Sequence, residues 1–105
     1  MRVAVTGAGG FIGRHLVREL AAAGHGVVSI SRHSAPPPGA AEHWAGDVRA
    51  EETWRRLPPV EAIVHLAGLS DASLSRDRPL EYNAVNALGT LVALEAARRL
   101  GALFV

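Results

Sequence analysis

The chain has 105 residues, 49% of them hydrophobic and 20% charged, with a formal charge of +1; this is the balance of one soluble globular domain rather than of a disordered segment. So small a net charge, with the basic residues scattered singly or in pairs, gives no general attraction to nucleic acid or to a membrane. The lack of cysteine removes disulfides, thiolate metal sites and cysteine nucleophiles, and the lack of a targeting segment makes a cytoplasmic location the expectation.

The run Arg2-Val3-Ala4-Val5-Thr6 stops at Gly7, which predicts a buried strand. Ile12, Leu16 and Leu20 then recur on one face with Val17 beside them, while Arg14, Arg18 and Glu19 fall elsewhere; a helix is expected over 11–24, stopped by Gly24. A second strand follows over 26–31. The proline-rich stretch 34–41 cannot enter a sheet and reads as a surface loop.

Beyond it come a short third strand over 43–45, a short helix over 49–57 ended by Pro58 and Pro59, and a fourth strand over 61–68. Residues 70–78 are polar and read as a loop. The longest helix is expected over 79–100, where Val85, Leu88, Val92 and Ala96 share one face, Pro79 suits the first turn and Gly101 ends the pattern. Residues 102–105 open a fifth strand. Strands alternating with helices predict an α/β domain built on a parallel sheet with right-handed crossovers. Trp44 and Trp54 are expected to cover the sheet edge and the short helix.

Gly7, Gly10 and Gly13 stand between the first strand and the first helix. In that context the first glycine permits a tight turn, the second lets a pyrophosphate approach the main chain, and the third allows close packing of helix on strand. Unpaired N–H groups at the helix start, backed by the helix dipole, then face the anion. The expected ligand is a dinucleotide, set against the plainer alternative of an ordinary strand-to-helix turn.

The spacing Gly-x-x-Gly-x-x-Gly within Val5-Thr6-Gly7-Ala8-Gly9-Gly10-Phe11-Ile12-Gly13 resembles the nucleotide loop of the extended short-chain dehydrogenase/reductase superfamily, of the NAD-dependent epimerase/dehydratase type. Three further stretches resemble that family in order: Gly46-Asp47-Val48-Arg49, the segment 64–71 around Leu66, Ala67 and Gly68, and the segment 79–98 with Asn86, Gly89 and Thr90. The resemblance implies a doubly wound Rossmann sheet of which these residues form the N-terminal, nucleotide-binding half, cut off after the start of the fifth strand, with the remaining strands and a substrate domain absent. It also implies cofactor contacts from Gly7, Gly10, Phe11, Ile12 and Gly13 at the pyrophosphate, from Asp47 and Val48 at the adenine, from Leu66, Ala67 and Gly68 along the fourth strand end, and from Asn86.

Where NAD-selective members of that family carry an acidic residue, this chain has Ser31 and Arg32, and no carboxylate occurs between Gly26 and Ala41. An arginine there can pair with a 2′-phosphate, so NADP is expected over NAD; a solvated loop arginine is the alternative. Asp47 equally suits a turn after Gly46. Asn86 is unfavourable in mid-helix and is expected to bond something specific, or simply to face its own helix. His65 reads as a packed strand histidine, and no metal site is expected.

Two classes of function remain open. One is hydride transfer while reshaping a sugar nucleotide or a similar alcohol or carbonyl substrate; the other is a non-catalytic NADP-binding or sensing module. The family's general base is a tyrosine followed four residues later by a lysine. All eleven basic residues here are arginine, the single tyrosine is Tyr82, and Asn86 stands four positions beyond it. These residues alone are therefore expected to be inactive and the longer parent to be the enzyme. The resemblance also admits a homodimer.

Overall fold

The computed structural model describes residues 1–105. Five parallel strands, β1 (Arg2–Thr6), β2 (Gly26–Ser31), β3 (Glu42–Ala45), β4 (Ala62–His65) and β5 (Leu103–Phe104), form one sheet in the order β3-β2-β1-β4-β5. Val3 pairs with Val27 on one side and Ala62 on the other, so β1 is central. Because both faces of β1 are covered, its apolar residues run continuously instead of alternating, and Val3 to Thr6 are all buried.

Helix α1 (Phe11–Ala22) packs on one face, where Val17 joins Val3, Val5, Val27 and Ala62 in a core with Leu16 and Leu20 at its margin. On the other face lie α2 (Glu51–Arg55) and α5 (Gly89–Leu100). There Trp54, Leu57 and the small residues Ala93, Ala96 and Ala97 close over Ala4, Val28, Ile30 and Ile63. The expected doubly wound parallel sheet is thus present, with Trp54 under α2 and Trp44 on the edge strand β3.

Three local readings change. The fourth strand ends at His65 instead of reaching Gly68, because the N–H groups of Leu66 and Ala67 turn to the side chain of Thr6. The polar stretch read as a loop contains α3 (Ala72–Asp77), started by Asp71, whose carboxylate accepts from the N–H groups of Ser73 and Leu74; aspartate at a helix cap was the available signal. The long helix is broken into α4 (Pro79–Asn83), a π turn (Ala84–Leu88) and α5. Apolar spacing does not register one wide turn. No helix is long and apolar enough to cross a membrane.

β2 and β3 lie to one side of β1, and β4 and β5 to the other. The crossovers leaving β1 and β4 therefore run in opposite directions and leave a crevice at the carboxyl ends of the two strands, the place where open α/β sheets bind ligands.

Candidate functional site

The crevice begins at the turn from β1 into α1. Gly7 has φ +64°, and a Cβ there would stand 2.8 Å from the main chain of Leu66 and Ala67; conformation and space both demand glycine. A Cβ on Gly13 would overlap the Gly7 carbonyl oxygen, so helix and strand touch through backbone. Gly10 donates its N–H to the Gly7 carbonyl at 3.0 Å and precedes α1 without a side-chain cap. As a result the N–H groups of Phe11, Ile12 and Gly13 have no acceptor within the protein. Three amide donors at the positive end of a helix form a cradle for an anion.

The cleft beyond the cradle measures about 220 Å³. Of the residues expected from the sequence, Gly7, Gly10, Ser31, Arg32, Asp47, Val48, Leu66, Ala67 and Gly68 line it. Phe11, Ile12, Gly13 and Asn86 do not. The side chains of Phe11 and Ile12 are 73% and 66% exposed, and their part in the cradle is the main-chain N–H alone. Asn86 stands back from the cleft and braces it: its Oδ1 accepts from Leu69 N–H at 2.8 Å and its Nδ2 donates to the Leu69 carbonyl at 2.9 Å. The expectation of a specific bond is met by the backbone of the β4 exit loop, at the π turn.

Sequence reasoning passed over Gly9, Ile30, His33, Gly46, Arg49, Leu69 and Val85, which also form walls. Arg49 carried a readable signal, an acid and a base two positions apart: its Nε and Nη2 clasp the Asp47 carboxylate at 3.0 and 2.6 Å. Those bonds, with the Arg49 and Arg32 charges, hold the Asp47 carboxyl below the usual range against the opposing effect of burial. Asp47 therefore faces the cleft as a carboxylate already clasped by Arg49, not as a free one.

Thr6 joins the two strand ends. Its Oγ1 accepts from the N–H groups of Leu66 and Ala67, both at 3.1 Å, and lies 2.8 Å from Nδ1 of His65. With its acceptor sites used, the hydroxyl donates to Nδ1, which places the imidazole proton on Nε2. Nε2 is buried without a partner, and burial lowers the pKa of His65. The Phe104 ring lies 6.0 Å away. His65 is the packed histidine expected.

The model of the NAD dependent epimerase/dehydratase family matches residues 3–105. The chain belongs to that family. It is 36% identical to the UDP-glucose 4-epimerase of Yersinia pestis, over 93% of this chain and 33% of that protein. It is also 40% identical to the ceramide reductase of Caulobacter vibrioides, over 98% and 33% respectively. Among solved structures, the UDP-glucose 4-epimerase of Thermus thermophilus in complex with NAD superposes with a TM-score of 0.84 at 34% identity, over 96% of this chain and 35% of that one. The chain thus spans about a third of the length of the proteins it matches. The solved relative holds NAD, which lends no support to the expected preference for NADP; that expectation rests on Ser31 and Arg32 alone.

Proposed function

We propose that the cleft holds an NAD(P)-type dinucleotide, its pyrophosphate on the amides of Phe11, Ile12 and Gly13 and its adenosine end between Ser31, Arg32, Asp47 and Val48. The observation that carries this reading is the cradle itself: free helix-start donors in a turn whose glycines let strand, turn and helix close on one another through backbone. When bound, the nicotinamide supplies hydride transfer. The residues of this chain bind and orient it, with Leu66, Ala67 and Gly68 as one wall and Asn86 bracing the adjoining Leu69.

The chemistry served is epimerase, dehydratase or reductase conversion of a sugar nucleotide or a similar alcohol or carbonyl compound. Support comes from the relatives, one named for a UDP-sugar and one for a ceramide. No tyrosine followed four residues later by lysine occurs in the chain, so the acid/base step is assigned to residues outside it and these residues alone are inactive. The same lack favours a second reading, a nucleotide-binding or sensing module without turnover.

For the cofactor, Arg32 facing the cleft without an acidic neighbour on β2 favours NADP. Calorimetric titration with NADH and NADPH tests both levels. Binding of either nucleotide that disappears in Gly10→Val supports the site, and unchanged affinity in that variant refutes it. Turnover by these residues alone would refute the inactive reading.

A further inference from the structure

Residues 32–41 join the parallel strands β2 and β3 without a helix. Such crossovers are usually helical, so that the connection lies on the sheet through an apolar stripe. Here part of the sheet face on the α1 side is polar. Val28 and Ile30 pack toward α2 and α5, and alternation along β2 sends Ser29 to the opposite face, where it meets its register partner His43 of β3. Ser29 is fully buried, and its hydroxyl lies 2.7 Å from Nδ1 of His43. Nε2 of the same ring lies 2.7 Å from the carbonyl oxygen of His33. A carbonyl only accepts, so Nε2 carries the proton and donates it, and Nδ1 accepts from Ser29.

We propose that His43 is a positioning residue for the nucleotide cleft: its Nε2–H fixes the His33 carbonyl and with it the stretch Arg32-His33 that forms one wall. The proposal rests on the reading of the cleft as a dinucleotide site, and it adds a residue that lines no part of that cleft.

The argument is one of anchorage. Arg32 and His33 line the cleft, yet residues 32–36 are all exposed. Strand pairing ends where Ser31 meets Ala45, and the chain is packed again only at Pro37, which is buried, and at Gly39, which lies against Ala21 and Arg18 of α1. Between those points Ser31 Oγ makes two long contacts with His33, accepting from its N–H at 3.3 Å and donating to its carbonyl at 3.4 Å. The bond from His43 is the one short tie, and it comes from a side chain that Ser29 holds against the sheet. A Cβ on Gly9 would stand 3.5 Å from the His33 ring, so the tied loop reaches the glycine turn and closes that end of the cleft. With the tie cut, the wall is free to leave the turn, and a ligand must order it on binding.

Two variants separate the tie from the imidazole that makes it. His43→Gln keeps a donor at the place of Nε2 and leaves Ser29 its other acceptor, the Glu42 carbonyl at 3.3 Å. His43→Asn keeps an acceptor for Ser29 and is too short to reach His33. Both are measured without nucleotide, as the initial rate of tryptic cleavage after Arg32, and by calorimetric titration with NADH and NADPH. His43→Asn should be cut several-fold faster and bind nucleotide about fivefold to tenfold more weakly, while His43→Gln stays within about twofold of the unmodified protein in both. An asparagine variant that binds like the unmodified protein overturns the role of His43 and leaves the cleft reading standing. Glutamine and asparagine variants equally impaired overturn it too, since the loss then follows the ring and not the tie. Binding of neither nucleotide by the unmodified protein overturns the cleft reading and the positioning role with it.

Discussion

Thr6 and His65 face each other across paired strands, the Oγ1 of one 2.8 Å from the Nδ1 of the other, and the same hydroxyl holds the N–H groups of Leu66 and Ala67. Thr6→Val keeps the volume and removes every one of those bonds in a fully buried place. The loss should be about 1–3 kcal/mol, since Ala67 N–H loses its acceptor while Leu66 N–H keeps only the Thr6 carbonyl at 3.3 Å, whereas Thr6→Ser should stay within about 1 kcal/mol of the parent. Urea unfolding measures both. Equal stability of the valine variant would show that the hydroxyl does not hold the two turns together.

Gly13→Ala and Gly10→Val separate folding from binding. The alanine Cβ at Gly13 would overlap the Gly7 carbonyl and the Ala8 Cα, both backbone, so a stability loss of about 3 kcal/mol is expected. At Gly10 the nearest atom to a Cβ is the Gly7 oxygen at 3.2 Å, which a small shift accommodates. Gly10→Val should stay folded by circular dichroism and lose nucleotide binding; retained binding in a folded variant would count against the cradle.

Ser31→Asp combined with Arg32→Asn places a carboxylate where the adenosine ribose is proposed to lie. Preference should move toward NADH by about 1–3 kcal/mol, the range of a charge-assisted hydrogen bond gained or lost. Competition of NADH against NADPH in one titration reads the change. No movement would place the ribose elsewhere.

His65 makes stability depend on pH. Burial holds its folded pKa below the unfolded value of 6.5, so below that pH the unfolded chain binds the extra proton and the folded one resists it. Stability is therefore present in full at neutral pH and falls as pH drops from about 6.5 through the folded pKa. His65→Asn offers Thr6 an acceptor without a titrating ring, and its urea midpoint should fall less between pH 7 and pH 5 than that of the parent. Parallel curves would assign the acid sensitivity to other groups.

The strand-glycine-helix order was readable because one residue type, glycine, meets one geometric demand at Gly7 and Gly13. Ser31, Arg32, Asp47 and Val48 were readable because parallel strands end at one edge of the sheet, and their places in the sequence mark those ends. Asn86 was readable only as an anomaly. Its partner, the backbone of Leu69, became visible only when the π turn brought the two together. His33 gave no signal, since a loop returning across α1 is set by long-range packing of Pro37 and Gly39 and leaves no periodicity.

The indole N–H of Trp54 donates to the carbonyl of Val48 at 2.9 Å, and the Val48 side chain packs where Gly89 lets α5 come close. Trp54 is buried and takes no part in lining the cleft, whereas Val48 is one of its walls. The emission of that indole is thus tethered to the cleft by a single hydrogen bond. Trp44, half-buried beneath the Arg56 guanidinium on the edge strand, stands in a different environment from Trp54. A nucleotide bound as proposed would press on Val48, and the expected outcome in a fluorescence titration is a shift in the emission of Trp54, a residue that nucleotide would never touch.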